Sequence, residues 1–317
     1  GGWCGVHPVV DFGAMVHALV TGADGFVGLH LVPHLRAEGD RVTESSGDIT
    51  DRDALIAEFG HSDAEVVYHL AGQADVGGSW QHPAETVRIN VEGTLNVLDA
   101  ARFAGCRRVV VVTSADVYGR ISEADLPIRE THQLQPVSPY AASKAAAEIV
   151  CVQAGLAHGL EVVRVRAFNH LGPGQSDRFV ASAIAGRIVA CEQDGSSVVK
   201  VGTLDARRDF TDVRDVVRAY RSLMTDGQAG EVYNVCSGRD RSIRDVADIL
   251  VSLSTADITL ETDPALVRPV DLSVLRGDNT KISDCTGWSP TIPIEQTLED
   301  LLGFWRSQRS KRQGAQT

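Results

Sequence analysis

The stretch Val16-His17-Ala18-Leu19-Val20-Thr21-Gly22-Ala23-Asp24-Gly25-Phe26-Val27-Gly28 decides the fold. Its first five residues read as a buried strand. The pattern T-G-x-x-G-x-x-G follows, and then an amphipathic run from Leu29 to Arg36 reads as a helix. In a strand–turn–helix context, glycines let the chain turn sharply. They also let backbone N–H groups approach a pyrophosphate at the positive end of the helix. A tight turn with close helix packing would use the same glycines, but the position after the first strand and the spacing of three favour a dinucleotide site.

Outward from that turn the same alternation repeats. Short apolar runs at Val16–Val20, Val66–Leu70, Val109–Thr113 and Val162–Val165 are separated by helical patterns such as Thr94–Phe103. Glu231–Val235 and Ile243–Leu253 add a further strand and a helix, the latter opened by Ser242 and Asp245 in a capping-box arrangement. Repeated βαβ units predict an α/β fold with a Rossmann-type doubly wound parallel sheet. Irregular spacing elsewhere predicts a second, smaller discontinuous α/β lobe that binds substrate. The expected division is residues 15–167 and 205–237 for the dinucleotide-binding part, and 168–204 and 238–312 for the smaller lobe. Residues 1–14 and 313–317 are read as tails, and no internal repeat is visible.

Composition bounds the function. Of 317 residues 43% are apolar and 23% charged, as in soluble globular proteins, and the net charge is −12. No basic block marks either end, so a nucleic-acid partner is not expected, and an anionic ligand must be held by local cations or backbone N–H groups. No apolar run approaches the roughly 20 residues that span a bilayer, so no membrane partner is expected. Six cysteines (Cys4, Cys106, Cys151, Cys191, Cys236, Cys285) include no C-x-x-C pair. That pattern suits reduced thiols in a cytoplasmic protein better than a disulfide frame, and no metal site is expected.

The second strand, Arg41–Ser46, should report on the ribose. An acidic residue there accepts from a 2′-hydroxyl, whereas an arginine pairs with a 2′-phosphate. Glu44 is present and no Lys or Arg lies between Val42 and Asp51, which leans to NAD(H), although Ser45 and Ser46 could hydrogen-bond a phosphate. Asp48 could accept from an adenine amino group while Ile49 covers the ring, or Asp48 could simply cap the next helix. Farther on, Ser138 and Pro139 suit the N-cap and first position of a helix that carries Tyr140 and Lys144 one turn apart on one face. A lysine ammonium beside a phenol lowers its pKa from about 10, so this spacing predicts a tyrosine ready for proton transfer near neutral pH. Ser114 follows the strand Val109–Val112, at the carboxyl edge where ligands of open α/β sheets sit.

With these elements in order, the sequence resembles the extended short-chain dehydrogenase/reductase family of sugar-nucleotide epimerases, dehydratases and reductases, from Met15 to about Trp305. The segments that carry the likeness are His69-Leu70-Ala71-Gly72-Gln73, Asn90-Val91-Glu92-Gly93-Thr94, Thr113–Gly119, the Y-x-x-x-K pair and Arg208-Asp209-Phe210. The resemblance implies a catalytic triad of Ser114, Tyr140 and Lys144, with Tyr140 and Lys144 also touching the nicotinamide ribose. It further implies NAD(P)(H) binding by Gly22, Gly25, Phe26, Val27, Asp48, Ile49, Leu70, Ala71, Gly72 and Asn90. Gln73, Asn169, Val180, Arg208 and Arg276 are implied to bind substrate, and arginine forks suit a diphosphate.

Within the family, Phe168–Gln175, Val201–Phe210, Tyr233–Gly238, Arg268-Pro269, Leu275–Asp278 and Thr286–Pro290 resemble the branch that acts on GDP-sugars. Ala167 departs from it, standing where a proline is expected. The implied reaction is NAD(P)H-dependent reduction of the 4-keto group of GDP-4-keto-6-deoxy-D-mannose to GDP-D-rhamnose. The alternative is a GDP-mannose 4,6-dehydratase, or another nucleotide-sugar epimerase/dehydratase that holds NAD(P) tightly. Dehydratases of the family place an acid, usually glutamate, two residues after the catalytic Ser or Thr. Here that residue is Asp116, whose shorter reach favours reduction. Relatives pair the helices matching Thr94–Phe103 and Ser138–Val150 between subunits, which implies a homodimer.

Overall fold

The computed structural model describes residues 15–267 and 272–314, so Arg268-Pro269 and the upstream tail lie outside the described residues. The first half runs β1 (His17–Thr21), α1 (Gly28–Ala37), β2 (Arg41–Ser45), α2 (Arg52–Ser62), β3 (Val66–His69), α3 (Val76–Ser79), α4 (Pro83–Val87), α5 (Gly93–Phe103), β4 (Arg108–Val112), α6 (Pro139–His158) and β5 (Glu161–Ala167). The second half adds β6 (Asn169–Leu171), α7 (Val180–Asp194), β7 (Val198–Val201), β8 (Arg207–Asp212), α8 (Val213–Asp226), β9 (Val232–Val235), β10 (Asp240–Ser242), α9 (Ile243–Ser252), β11 (Thr259–Thr262), α10 (Thr280–Thr286) and α11 (Ile294–Gly314).

Six strands form a parallel sheet in the order β2-β1-β3-β4-β5-β9. The inner strands are buried on both faces, which is why they read as unbroken apolar runs instead of alternating ones. Chain order reverses between β1 and β3, and in open α/β sheets ligands bind outside the carboxyl ends at such a reversal. One face is covered by α1 and α8 through Leu31, Leu35, Val217 and Tyr220. The other is covered by α2, α5 and α6 through Leu55, Phe59, Val97, Ala101 and Cys151.

A separate apolar cluster joins α7, α9 and α11 through Ile184, Ile188, Val246, Leu250, Leu298 and Leu301. Ile282 and Trp288, within the stretch assigned from sequence to the second lobe, instead pack into the core under α1 and α8. Two caps fall where the sequence puts them: Ser138 accepts from the Ala141 N–H, and Ser242 and Asp245 close a capping box. Helix α2 is capped by Asp51, not Asp48. Between α4 and α5 the chain makes a π-helical turn over Arg88–Glu92, and this turn carries the buried Asn90. Among the described residues no helix is long and apolar enough to cross a membrane, and five of the cysteines are free.

Candidate active site

A cleft of about 1300 Å3 runs along the carboxyl edge of the sheet, lined on one side by the glycine turn and on the other by α7, β7 and β8. Gly22 has φ +68°, and a Cβ there would lie 2.8 Å from the Ala71 nitrogen; a Cβ on Gly28 would lie 2.4 Å from the Gly22 and Ala23 carbonyl oxygens. Only glycine lets β1 enter α1 this closely, which leaves the helix N-terminus bare toward the cleft. Beneath the turn, the His69 ring hydrogen-bonds Thr21 Oγ1 at 2.9 Å and Thr94 Oγ1 at 3.0 Å, fastening β3 to β1 and α5. Burial brings its pKa down to about 3, so it is a neutral fastener. The residues present fit a dinucleotide: Gly22, Gly25, Phe26, Val27, Leu70 and Gly72 all line the cleft. Phe26 also stacks on His170 with ring planes 4° apart, and His30 Nε2 reaches the Pro173 carbonyl at 2.8 Å. The turn is thereby tied to the loop that follows β6.

Ser114, Asp116, Tyr140 and Lys144 converge on the same cleft. Ser114 leaves the end of β4, and its hydroxyl hydrogen-bonds the Tyr140 phenol. The start of α6 is held from α3, where Ser79 Oγ accepts from the Tyr140 N–H at 3.2 Å. Lys144 Nζ donates to the Val112 carbonyl at 3.2 Å, and burial lowers its pKa to about 8.

The Tyr140 phenol is shifted opposite to the direction that its spacing from Lys144 predicts. Burial pushes the Tyr140 phenol above its ordinary value, the Asp116 charge adds to that, and the Ser114 hydrogen bond opposes it. Spacing four apart put Lys144 on the right helix face but could not foresee that desolvation outweighs it. Tyr140 is therefore held as a neutral phenol, able to give a proton.

Several other expected contacts are relocated by packing. Asn90 is buried: its side-chain oxygen accepts from the Gln73 N–H at 2.8 Å, and its amide donates to the Gln73 carbonyl and to Ser143 Oγ. It braces the Gly72-Gln73 loop and has no free donor to offer a cofactor. Ile49 is buried against Gly93 in the core under α5, and does not line the cleft. The exposed Asp48 accepts from the Thr50 N–H and hydroxyl, both at 2.8 Å, and the Ala71 N–H is turned to Thr21. Arg276 meets Asp240 at 3.3 Å and is absent from the cleft lining, whereas Asn169, Val180 and Arg208 line it. Gln73 also lines it, with its side-chain oxygen buried and unpartnered. A buried acceptor without a donor is costly, and a ligand hydroxyl or amide would satisfy it. Among the described residues, no cluster of three or more His, Cys, Asp or Glu could hold a metal.

The profile described as GDP-mannose 4,6 dehydratase matches residues 42–301. The chain belongs to this family of extended short-chain dehydrogenases/reductases. It is an NAD(P)-dependent enzyme of nucleotide-sugar chemistry. The chain is 40% identical to GDP-6-deoxy-D-mannose reductase of Pseudomonas aeruginosa over 91% of its own length and 96% of that protein. It is 31% identical to UDP-glucose 4-epimerase of Mycolicibacterium smegmatis, over 92% and 99% of the two chains. Among solved structures, RMD from Pseudomonas aeruginosa complexed with NADPH superposes with a TM-score of 0.86 at 38% identity, covering 92% of this chain and 99% of that one. The dTDP-glucose 4,6-dehydratase DesIV of Streptomyces venezuelae with NAD bound gives 0.81 at 26% identity, covering 93% and 98%.

Reasoning from sequence missed the support behind this site. Glu148, one turn beyond Lys144 on α6, is buried and paired with Arg166 of β5 at 2.7 Å. Glu148 also accepts from Thr113 Oγ1 at 2.8 Å, and Arg166 donates to Tyr118 Oη at 2.9 Å. One ion pair therefore fixes both ends of the segment that carries Ser114 and Asp116 to the helix that carries Tyr140 and Lys144. The spacing Tyr140, Lys144, Glu148 on one helix face was the available signal.

Proposed function

We propose that the protein reduces the 4-keto group of GDP-4-keto-6-deoxy-D-mannose to give GDP-D-rhamnose. The observation that carries this reading is the 40% identity to a GDP-6-deoxy-D-mannose reductase over 96% of that protein, against 25–26% to GDP-mannose 4,6-dehydratases. Reduction needs a proton donor at the carbonyl oxygen, and burial together with the Asp116 charge favours the protonated form of Tyr140.

Bound along the glycine turn, a reduced nicotinamide dinucleotide supplies the hydride. As charge develops on the 4-oxygen, the Tyr140 hydroxyl passes its proton to it, and the Ser114 hydroxyl shares the hydrogen bond that aligns the two. The Lys144 ammonium, fixed by the Val112 carbonyl, adds positive charge beside the site while it remains protonated. We assign Asn169, Val180, Arg208 and the unpartnered Gln73 oxygen to the nucleotide-sugar side, with residues 168–204 contributing most of that wall. Exposed apolar residues on α5 and α6 (Leu95, Phe103, Ile149, Val152, Leu156) support a homodimer through these helices.

The test is to mix the purified protein with GDP-4-keto-6-deoxy-D-mannose and follow the absorbance of added NADH or NADPH. Consumption with formation of GDP-D-rhamnose is expected. No consumption with either, together with conversion of GDP-mannose to its 4-keto-6-deoxy form, makes the protein a dehydratase.

A further inference from the structure

The carboxyl end of β2 lies beside the end of β1, with Ser45 in register with Thr21, one residue before the glycine turn. In folds of this kind the adenosine ribose sits at the end of the second strand. Glu44, the acid that sequence places there, is not free to act alone: it pairs with Arg36 of α1 at 2.8 Å. Two donors at this bend that could hold a 2′-phosphate are the Ser45 hydroxyl and the Ser46 N–H, and both are occupied from an unexpected direction. Glu58, two turns into α2, accepts from Ser45 Oγ at 2.9 Å and from the Ser46 N–H at 3.2 Å. Its carboxylate lies so close under the bend that a Cβ on Gly47 would sit 2.6 Å from Glu58 Oε2. Among the described residues Glu58 makes no ion pair, so its charge is unneutralised.

We infer that Glu58 sets the cofactor preference of this enzyme, accepting the ribose 2′-hydroxyl of NADH and rejecting the 2′-phosphate of NADPH. A carboxylate offers about four acceptor positions, and two remain after Ser45 and Ser46 are served, enough for a ribose hydroxyl. A phosphate monoester brings about 1.5 to 2 negative charges and three acceptor oxygens to a place where the Ser45 hydroxyl and the Ser46 N–H are already committed and a like charge waits. Arg36, the arginine that reaches this edge, is held by Glu44.

The inference rests on the dinucleotide site and not on the sugar substrate, so it is tested by binding. Calorimetric titration of the protein with NADH and with NADPH should give an NADH affinity at least about tenfold higher, the effect expected of like charges a few ångströms apart at a solvated edge. In Glu58→Gln, which keeps the size and one acceptor, NADPH affinity should rise several-fold while NADH affinity falls slightly, closing the gap. Ser46→Arg, which adds a cation without touching Glu58, should also raise NADPH affinity and serves if the first variant melts early. Equal or tighter binding of NADPH by the unaltered protein overturns the inference. So does an unchanged NADH-to-NADPH ratio in a folded Glu58→Gln.

Discussion

Two carboxylate–guanidinium pairs of almost equal length sit at opposite ends of the cleft: Glu148–Arg166 at 2.7 Å behind the reacting groups, and Glu44–Arg36 at 2.8 Å at the edge strand β2. The first is 3% and 6% exposed, the second 48% and 53%. Distance alone therefore says little about what a pair contributes. In the interior each partner has lost its water and depends on the other, and their surplus hydrogen bonds reach Thr113 and Tyr118. At the edge, water competes with the contact and the pair mainly neutralises charge. The chemical end of the cleft is held in one geometry by its backing, while the adenosine end is free to vary its charges at small structural cost.

The contrast can be broken at several points. Tyr140→Phe removes the proton donor at the chemical end, and kcat should fall by roughly 10^2 to 10^4-fold while dinucleotide binding measured by fluorescence persists. Retained turnover would take Tyr140 out of the proton-transfer step. Glu148→Ala leaves Arg166 buried and unpaired, and should lower the urea-unfolding free energy by about 3–5 kcal/mol. Pairing Glu148→Leu with Arg166→Met should recover much of that stability and little of the activity, because the Thr113 and Tyr118 anchors stay lost.

The third point is the pH profile. The Lys144 ammonium, brought down to about 8 by burial, is charged below that pH and neutral above it. The rate constant kcat/KM should be level below pH 8 and fall about tenfold per unit above it, the slope of one lost proton. Stability should move the other way. Between pH 8 and the ordinary lysine value near 10.4, the unfolded chain keeps a proton that the folded chain has released, so this group's contribution rises with pH. A flat profile to pH 10 would remove the need for charge on Lys144. The smallest effect is expected at the edge: Arg36→Ala should change unfolding free energy by about 1 kcal/mol or less.

The same contrast explains what the sequence could disclose. Local rules were reliable where the chain obeys them within a few residues, as at the glycine turn, the Ser138 cap and the Ser242–Asp245 box. Parallel strands announced themselves because burial on both faces leaves an unbroken apolar run. What stayed hidden depended on partners far along the chain. The Tyr140 phenol is governed by burial and by Asp116, 24 residues earlier, more than by the lysine one turn away. Asn90 and Ile49 occupy motif positions, yet packing turned one into a brace and the other into core. Arg276 pairs with Asp240, 36 residues earlier in the chain. Glu58 had no motif to mark it, since its importance arises only when α2 folds back on the end of β2.

The π-helical turn over Arg88–Glu92 records how this site was assembled. It gives the span from α4 to α5 one residue more than an ordinary α-helical ladder would hold, as π-bulges do. Removing that residue would straighten the rod and rotate everything upstream by roughly 100° against α5. Asn90 would then swing off Gln73 and Ser143, and the loop bearing the unpartnered Gln73 oxygen would lose its tether. The irregularity works as a phase shifter between two screw threads: α5 keeps its apolar stripe on the sheet, and the turn before it aims a polar side chain in a different direction.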